Sequence, residues 1–536
     1  MNRIFIISAL SIILCSCEER TVRIELAATN DTHGAIFPRG YTEDAAAHSS
    51  LASVCSYMDS LREAAGEDNV ILIDCGDHLQ GDNATYYFNY VDSTGDEHLV
   101  SRVFNFMGYD AVVVGNHDLE AGHPVYDRIA RELDCSYLAA NAVRVSDGGA
   151  YFDSYAVLER DGLRVAVIGF TNPNVKSWIS PDKYEGLDFI PVDSIAASLV
   201  SEVRRLERPD VVILAVHCGL GEEDVPSIEN NALYLAAHVP GIDAVISSHD
   251  HKRMATKVMG ADGDSVSVVE SGSKARALSR LSITAVKKGN RLVSLDVKPS
   301  VADAAHMQPS ERYMNEFGED WQKVYGFSNR VIGRLISPLD LSYRQDRRSD
   351  YLALIHYVQL SCPGVEISFT APLVSEGVVP AGDLRFNDLF TLYRFENLLY
   401  VVEMTGQEVL DYLEGAYDKR ITGSDFLYNY DTAGGLIYTV DPSADKGGRI
   451  RIVSMWDGTP FDLSRRYRIA MTSYRASGAG GLLAEAGLDR EEMEGRVIGI
   501  YPEIREILCE FIENQKNIDP VKIAAEKKTG SWHFVR

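Results

Sequence analysis

Beyond its first 17 residues, the sequence lacks any apolar run of the roughly 18 to 20 residues that a membrane-spanning helix needs. It is also poor in positive charge: 52 Lys and Arg stand against 78 Asp and Glu, which gives a formal net charge of −26. A surface of that sign repels polyphosphate backbones, so long nucleic acid is excluded as an expected ligand. A small phosphate ester would need local positive charge to bind, and bound metal ions are one source of it.

Closely spaced cysteine pairs are absent as well. Six cysteines follow residue 17, and no two of them form a CxxC motif, which excludes zinc-finger and thioredoxin-type sites. Cys75 and Cys218 lie in apolar runs and are predicted to be buried thiols. Disulfide pairing stays open, because an oxidising compartment would permit it.

The first 17 residues predict export. Arg3 precedes the apolar run Ile4–Leu14, which is too short for a membrane span but has the length of a secretory h-region. The run leads into Leu-Cys-Ser-Cys, ending at Cys17, which resembles a bacterial lipoprotein box. We therefore expect a signal peptide over residues 1–16 and a lipid on Cys17 that anchors a periplasmic or cell-surface protein to a membrane. An ordinary signal peptide containing two cysteines is the alternative.

The length of 536 residues exceeds what one core usually supports, so at least two domains are expected. Short β-branched runs alternate with amphipathic segments of helical length through the first half, a pattern typical of a layered α/β domain. We place this domain at residues 17–300, a linker helix within residues 301–330, and a smaller α/β domain at residues 331–536. In the polar tail, Trp532 and Phe534 could pack back onto the second domain.

Asp, His and Asn recur where the predicted strands of the first half end. The five segments are Thr29-Asn30-Asp31-Thr32-His33-Gly34, Asp74-Cys75-Gly76-Asp77, Gly115-Asn116-His117-Asp118, His217-Cys218-Gly219 and Ser247-Ser248-His249-Asp250-His251. Active sites of α/β folds lie at the carboxyl ends of strands, so these side chains are expected to converge. Each segment alone is a weak signal, but five at the same structural place are hard to explain by packing.

The residue types at these strand ends indicate metal chemistry. Imidazole and carboxylate together suit zinc, manganese, iron or cobalt better than calcium. Two such ions about 3.5–4 Å apart lower the pKa of a bridging water and stabilise both oxygens of an in-line displacement at phosphorus. One carboxylate must then bridge the ions, and Asp77, in a Gly-Asp turn, is the candidate.

The ordered motif set resembles that of the calcineurin-like metallophosphoesterases and, within them, the 5′-nucleotidase family. The resemblance covers nearly the whole mature chain and implies a four-layer αββα catalytic domain followed by a smaller α/β 5′-nucleotidase C-terminal domain. It also implies two divalent metal ions. The residues of one metal site are then Asp31, His33, Asp77 and His251, and those of the other are Asp77, Asn116, His217 and His249.

The resemblance further implies that His117 is the catalytic histidine, which stabilises the phosphoryl transition state. At the place of the residue that orients this histidine, commonly Asp or Asn, the chain has Glu120. Ser248 is a second departure, because the family often has Gly before the first histidine of the His-x-His motif. Asp118 is expected to have a structural role.

The second half resembles the nucleotidase C-terminal domain through Gly382–Arg385 and Asn387–Leu389. Where many 5′-nucleotidases have Asn-Gly-Gly-Gly-Ile-Arg, this chain has Phe-Thr-Ala-Pro-Leu at residues 369–373, which looks more like the 2′,3′-cyclic-nucleotide 2′-phosphodiesterase/3′-nucleotidase branch. The resemblance implies that Tyr430 and Tyr474 sandwich the base, with Arg475 as a further substrate contact. Tyr428 is an equally aromatic neighbour of Tyr430.

Together these observations predict a dinuclear-metal hydrolase of nucleotide phosphate esters, with 2′,3′-cyclic nucleotides and 3′-nucleotides as the expected substrates. Three alternatives stay open. The first is a 5′-nucleotidase or nucleotide-sugar hydrolase on the same scaffold, and the second is a relative that acts on a non-nucleotide phosphate or sulfur ester. The third is a non-catalytic, nucleotide-binding surface lipoprotein.

Overall fold

A computed structural model of the chain describes residues 19–42, 46–92, 97–395, 397–423 and 426–535. The expected signal peptide and lipid-bearing Cys17 lie outside this range. Within it, no helix combines the length and the apolar character needed to cross a membrane. The six cysteines that follow residue 17 are free thiols, and Cys75 and Cys218 are fully buried, as predicted.

Two six-stranded sheets form the centre of the first domain. In spatial order, the first sheet consists of Arg291–Asp303, Ala277–Lys288, Glu19–Thr29, Val70–Asp74, Ala111–Val113 and Ser136–Leu138. The second consists of Arg253–Met259, Ser265–Ser271, Ala244–Ile246, Val211–Val216, Leu163–Phe170 and Tyr155–Arg160. The motif-bearing strands pair in parallel within each sheet, so their carboxyl ends lie along one edge of the domain.

Alternation of apolar side chains explains how the sheets are layered, because successive strand residues point to opposite faces. Val22, Ile24 and Leu26 pack into the core between the two sheets, whereas Ala27 packs into the core on the outer face. Helices cover both outer faces: Leu51–Ala65, Leu99–Met107 and His123–Glu132 on the first sheet, and Val192–Glu207 and Ala232–His238 on the second. The result is the four-layer αββα arrangement that the resemblance implies.

One long helix, Glu311–Ser328, connects the two halves of the chain and falls within the predicted linker segment. Tyr313 and Phe317 of this helix pack into the outer core of the first domain. Near its end, the amide of Asn83 donates hydrogen bonds to Ser328 Oγ at 2.8 Å and to Asn387 Oδ1 at 2.9 Å. The end of the helix therefore contacts both halves of the molecule.

A five-stranded sheet forms the centre of the second half. In spatial order it consists of Thr432–Gly434, Ile367–Thr370, Arg466–Thr472, Leu398–Thr405 and Val497–Glu503. Two three-stranded sheets flank it: Gly382–Arg385, Val331–Leu335 and Asn517–Ile518, and then Ile450–Met455, Leu436–Val440 and Ser531–Phe534. The helices of eight or more residues are Asp350–Gln359, Gly406–Thr422 and Ile504–Gln515. This half is therefore a mixed α/β unit, as expected.

The polar tail packs back onto this half through its aromatic residues. Its strand Ser531–Phe534 pairs in parallel with Leu436–Val440, and the side chain of Trp532 is buried. The sequence expectation for the tail is thereby confirmed.

The two halves also meet along a short segment of the first domain, residues 173–184. Three hydrogen bonds cross there: Ser477 Oγ to Ser177 O, Ser180 Oγ with Tyr400 OH, and Arg490 to Tyr184 OH. This contact holds the second half over the edge of the first domain at which the motif-bearing strands end.

Candidate active site

All seven side chains predicted to bind metal converge at the carboxyl ends of their strands. Two groups of potential metal ligands form there, and within each group the ligand atoms lie within 4.8 Å of one another. The groups are Asp31, His33 and His251, and Asp77, His217 and His249. The seventh residue, Asn116, places its Oδ1 3.0 Å from both His217 Nε2 and His249 Nδ1.

The spacing of the donor atoms fits metal coordination. His33 Nε2 and His251 Nε2 lie 3.0 Å apart, and two imidazole nitrogens that bind one ion at about 2.0–2.1 Å are separated by roughly 3 Å. Asp77 Oδ2 lies 4.0 Å from His33 Nε2 and 3.2 Å from His217 Nε2, between the two groups. This is the position that a bridging carboxylate requires, so the residues present fit a pair of divalent ions.

Five of the seven side chains stand on backbone in the left-handed region, which non-glycine residues rarely adopt. The φ angles are 47° at Asp31, 45° at His33, 61° at Asp77, 85° at His249 and 58° at His251. Such conformations cost on the order of 1–3 kcal/mol each and persist where the surroundings over-determine them, commonly at functional sites. Their concentration here indicates that the backbone at this edge holds the metal-ligand side chains in position at a cost to the stability of the fold.

Asp118 and Gly115 hold the strand-end segment of residues 74–77 close to that of residues 115–118. The buried carboxylate of Asp118 accepts hydrogen bonds from the backbone N–H groups of Asp77, His78, Leu79 and Gly115 at 2.7–2.9 Å. A Cβ on Gly115 would lie only 2.2 Å from Asp77 Oδ1, so that position has no room for a side chain. The geometry agrees with the structural role expected for Asp118.

Electrostatics favour ionised carboxylates at this edge. Burial raises the pKa of Asp77, but the neighbouring His217 and His117 outweigh it and hold the pKa well below its usual range. Burial lowers the pKa of His33 to about 3, which leaves its ring neutral. For His217, burial lowers the pKa, yet the Asp77 carboxylate prevails and raises it to about 9. Metal ligands must be deprotonated, so metal binding is expected to release a proton from His217.

His117 lies on the helix Asn116–Glu120, at the border between the metal-ligand groups and the open cleft. Its Nδ1 is 2.9 Å from Glu120 Oε2, one helical turn away. The longer side chain of Glu therefore reaches the ring in this chain. The negative charge of the carboxylate favours a proton on Nδ1, the nearer ring nitrogen, and the other ring nitrogen lies on the side away from Glu120.

A cavity of about 370 Å³ extends from these residues to the second half of the chain. From the first domain it is lined by Gln80, Asn116, His117, Glu120, Trp178, Glu229 and His249. From the second it is lined by Phe369, Thr370, Ala371, Leu373, Tyr393, Phe395, Asn397, Tyr428, Asp431, Thr472, Tyr474 and Arg475. The reacting end and an aromatic end thus share one space, of a size typical for small-molecule sites.

The aromatic end differs from the sequence expectation in one residue. Tyr474 lines the cavity as predicted, but of the two neighbours Tyr428 and Tyr430 it is Tyr428 that lies in the wall. Tyr430 is 8% exposed, its ring lies 6.2 Å from that of Tyr343, and it is not part of the cavity wall. The turn Leu427–Asn429 explains the difference, because it directs the two neighbouring tyrosines to different sides. The family resemblance that implies Tyr430 carries no information about this turn.

Arg475 also departs from the role expected for it. Its guanidinium is buried, and all five N–H donors point at protein acceptors. These are both carboxylate oxygens of Asp431 at 3.0 Å, Asn429 Oδ1 at 2.9 Å, Ala479 O at 3.1 Å and Tyr428 O at 2.5 Å. Arg475 therefore holds the turn that carries Tyr428, and no N–H group is left over for a substrate.

Among the wall residues that sequence reasoning missed, three contact other residues of the site. Trp178 stacks on His249, with ring centroids 5.2 Å apart and an interplanar angle of 24°. Glu229 Oε1 lies 3.1 Å from His249 Nε2, and Asp431 binds Arg475. None of them belongs to a strand-end motif; the glycines at 219 and 221, which allow a tight loop ahead of Glu229, are the only sequence signal near it.

Two family models match the chain. Residues 24–253 match the calcineurin-like phosphoesterase model, and residues 326–486 match the model of the 5′-nucleotidase C-terminal domain. The first match contains all seven convergent metal-ligand candidates together with His117. The second contains every cavity residue contributed by the second half.

Individual relatives are distant in sequence but similar over most of the chain. The trifunctional nucleotide phosphoesterase protein YfkN of Bacillus subtilis is 24% identical over 93% of this chain, which spans 38% of the length of that protein. The 2′,3′-cyclic-nucleotide 2′-phosphodiesterase/3′-nucleotidase of Salmonella typhimurium is 24% identical over 87% of this chain and 83% of its own length. A Staphylococcus aureus crystal structure assigned as a 5′-nucleotidase superposes with a TM-score of 0.78 at 19% identity, covering 96% of this chain and 100% of that one. The last likeness concerns the fold alone.

Proposed function

Because this chain belongs to the calcineurin-like phosphoesterases and carries the C-terminal domain of the 5′-nucleotidases, we propose that it hydrolyses nucleotides that bear a single phosphoryl group, namely 2′,3′-cyclic nucleotides and 3′-nucleotides. The family makes it a phosphoester hydrolase, which disfavours the alternative of a non-catalytic binding protein. The observation that carries the proposal is the shared cavity, in which His117 and His249 lie at one end and Tyr428 and Tyr474 at the other.

The division of the cavity suits a nucleotide. Two divalent ions, when bound by the seven convergent residues, supply Lewis-acid polarisation of the phosphoryl group and an activated water. At the other end, Tyr428 and Tyr474 offer aromatic faces on which a base can stack, worth about 1–3 kcal/mol each. This arrangement revises the predicted base sandwich by replacing Tyr430 with Tyr428.

The chain's own catalytic contribution centres on His117. The Glu120 carboxylate, 2.9 Å from Nδ1, stabilises a proton on that nitrogen and so favours one orientation of the imidazole. A ring held in this way can donate a hydrogen bond to a phosphoryl oxygen, or a proton to the leaving oxygen, without reorganising during the reaction. The backbone N–H of His117 also donates to Asp77 Oδ1 at 2.9 Å, which links the ring's position to the metal-ligand groups.

The charges in the cavity wall favour one phosphoryl group over several. Among the described lining residues, Arg475 is the single Lys or Arg, and its five N–H groups are used within the protein. Glu120 and Glu229 add negative charge to the same wall, whereas the charge of Asp431 is balanced by Arg475. A second phosphate, as in a nucleotide sugar, would therefore lack a cationic partner and face carboxylates, an arrangement that disfavours binding.

The identity of the phosphoryl position rests on the segment that replaces the Asn-Gly-Gly-Gly-Ile-Arg sequence of many 5′-nucleotidases. Phe369, Thr370, Ala371 and Leu373 of this segment line the cavity. The segment therefore brings apolar and hydroxyl groups, and no guanidinium, to the place where substrate binds. This composition supports the cyclic-nucleotide and 3′-nucleotide branch over the 5′-nucleotidase alternative.

We also propose that the protein is exported and held at a membrane by a lipid on Cys17. The first described strand begins at Glu19 and runs 11 residues to Thr29, just before Asp31. At about 3.3 Å per residue this strand is roughly 36 Å long, and it separates Glu19 from the metal-ligand groups. A Cys17→Ser variant should move from the membrane fraction to the soluble fraction on cell fractionation, and an unchanged membrane association would contradict the proposed anchor.

The substrate proposal is tested by phosphate release from the chain without residues 1–17. The panel consists of 2′,3′-cyclic AMP (with an added phosphatase to detect the ring-opened product), 3′-AMP, 5′-AMP and a UDP-sugar, each with Mn²⁺. The proposal predicts the highest kcat/KM for the cyclic and 3′ substrates. Preference for 5′-AMP would retain the metal centre and reject the interpretation of residues 369–373, whereas preference for the UDP-sugar would reject the argument from wall charge.

A further inference from the structure

His249 is contacted through both of its ring nitrogens. Its Nδ1 faces the second metal-ligand group and lies 3.0 Å from Asn116 Oδ1, while its Nε2 lies 3.1 Å from Glu229 Oε1. Both partners are acceptor oxygens, but hydrogen bonds to an ionised carboxylate are stronger than those to an amide oxygen, so the proton of a neutral ring belongs on Nε2, beside Glu229. The Nδ1 lone pair is then the one directed toward the metal-ligand group.

His217 of the same group shows the complementary arrangement. Its Nδ1 lies 2.7 Å from the carbonyl oxygen of Cys75, which also accepts only, and this leaves Nε2 to face Asp77. Each histidine of the group thus has an acceptor that places its proton on the nitrogen remote from the group. For His217 that acceptor is backbone, but for His249 it is the side chain of Glu229, which can be substituted.

Glu229 is itself held in place. Its second carboxylate oxygen, Oε2, accepts from Asn174 Nδ2 at 3.4 Å, and its carbonyl accepts from Asn172 Nδ2 at 3.3 Å. The backbone N–H of Glu229 donates to Ser227 Oγ at 3.2 Å. A side chain restrained at both oxygens presents its carboxylate to His249 in one orientation.

The chain path brings Glu229 back to the strand end that carries His217. Gly219 and Asn230 pair across the base of the intervening loop. A Cβ on Gly221 would lie 1.9 Å from the carbonyl oxygen of Asn230, so this closure requires glycine. A single strand end therefore supplies both His217 and, through the closed loop, Glu229.

Trp178 restrains the plane of the same ring. It stacks on His249 at a centroid distance of 5.2 Å, and it follows the turn Pro173–Ser177 that contains Asn174. Because His249 stands on left-handed backbone at φ 85°, its ring needs support from its surroundings to hold one position. Glu229 supplies that support at the edge of the ring and Trp178 at its face.

We infer that Glu229 and Trp178 are positioning residues that commit His249 to metal binding through Nδ1. The inference rests on the proposed dinuclear centre and extends it to residues outside the ligand set. Removing a hydrogen-bond partner of this kind from a metal-binding histidine typically lowers metal affinity or activity by about 10–100-fold. In the described part of the chain, the first group, formed by Asp31, His33 and His251, makes no hydrogen bond, ion pair or ring contact with either residue, and it serves as an internal reference.

The test measures Co²⁺ binding by equilibrium dialysis and visible absorption in the whole chain, without nucleotide. The Glu229→Ala variant should bind one ion with parental affinity and the other about 10–100-fold more weakly, and Trp178→Ala should weaken the same ion. Glu229→Gln, whose amide oxygen can still accept the Nε2 proton, should restore most of the lost affinity. The matched control is Glu223→Ala, an exposed acid in the same loop, which should bind both ions as the parent does.

Three results would overturn the inference. One is a Glu229→Ala variant that binds both ions with parental affinity, and another is an equal loss in Glu223→Ala, which would indicate a general charge effect. The third, measured in a separate kinetic assay with 3′-AMP, is a higher KM with unchanged metal affinity, which would make Glu229 a substrate contact. Retention of the first ion shows that a variant is folded. Since the assay contains no nucleotide, an error in the proposed substrate would leave its result unchanged, whereas a parent that binds no Co²⁺ would refute the proposed centre itself.

Discussion

Replacement of Arg475 by methionine separates the role that the structure gives this residue from the role that its sequence motif suggests. Methionine keeps much of the length of the side chain and removes all five donors. The buried carboxylate of Asp431 then keeps only the hydrogen bond from Tyr412 OH at 2.6 Å, and Tyr428 O loses its guanidinium donor. We therefore expect the second domain to be less stable and Tyr428 to lose its fixed position.

The magnitude follows from burial. Arg475 and Asp431 are 4% and 2% exposed, and removing one partner of a buried ion pair costs about 3–5 kcal/mol. For a domain of this size, each kcal/mol lowers the melting midpoint by about 2–4 °C, so a shift of roughly 6–20 °C is expected. Loss of one stacking face costs a further 1–3 kcal/mol in substrate binding, or about a 5- to 150-fold increase in KM.

The assay combines thermal unfolding with kinetics on 3′-AMP and p-nitrophenyl phosphate, which has no base. The Arg475→Met variant should show the lower midpoint and the higher KM for 3′-AMP, with turnover of p-nitrophenyl phosphate nearly unchanged below the midpoint. Arg394→Met, which removes an exposed guanidinium between the cavity residues Tyr393 and Phe395, is the control and should behave as the parent. A double variant, Arg475→Met with Asp431→Leu, should recover part of the midpoint, because no buried charge remains unpaired.

The reasoning would be refuted by an unchanged midpoint together with equal losses on both substrates. That pattern is the one expected if Arg475 contacts the phosphoryl group directly.

Three further predictions follow from the site. Tyr428→Ala should raise the KM for 3′-AMP about 5- to 150-fold without affecting p-nitrophenyl phosphate, whereas Tyr430→Ala should leave that KM within a few-fold of the parent; the opposite pattern would restore Tyr430 to the base sandwich. His117→Ala should lower kcat by about 10²–10⁴-fold while both ions remain bound, with Glu120→Gln giving a smaller loss, and a His117→Ala variant with parental kcat would exclude the proposed role. Gly115→Ala should reduce the metal content, because its Cβ would lie 2.2 Å from Asp77 Oδ1; the control Gly495→Ala, where the nearest atom is 3.5 Å away, should keep both ions, and a normal metal content in Gly115→Ala would contradict the geometry of the third motif.

The parts of the molecule that depend on local pattern could be predicted from the sequence. Alternation in Val22, Ile24 and Leu26 requires a strand with one face in a core, and a polar residue after such a strand falls at the sheet edge regardless of the rest of the fold. Asp31 and Asn116 could be assigned to one site for that reason. Asp and His also tolerate the left-handed backbone found at five of the seven positions better than most residues do.

The parts that depend on tertiary contacts could not be predicted. Whether Tyr428 or Tyr430 enters the cavity is decided by a turn that Arg475 holds from 47 positions away. Glu229 and Trp178 reach His249 from two separate loops, and neither loop has a periodic pattern or a motif. The commitment of Arg475 to Asp431 is likewise a long-range pairing, so the sequence could show a positive charge near Tyr474 but could not show that the charge is already neutralised.

The measurement that tests the central claim most directly is a metal titration of the chelator-treated chain, following phosphate release from 3′-AMP and the number of bound Mn²⁺ ions in the same samples. The account predicts no turnover in the metal-free protein, two ions per chain at saturation, and activity that rises with the second ion. An Asp77→Ala variant, which lacks the carboxylate between the two groups, should regain neither the second ion nor the activity. Turnover by the metal-free chain, or full activity with Asp77→Ala, would contradict the account.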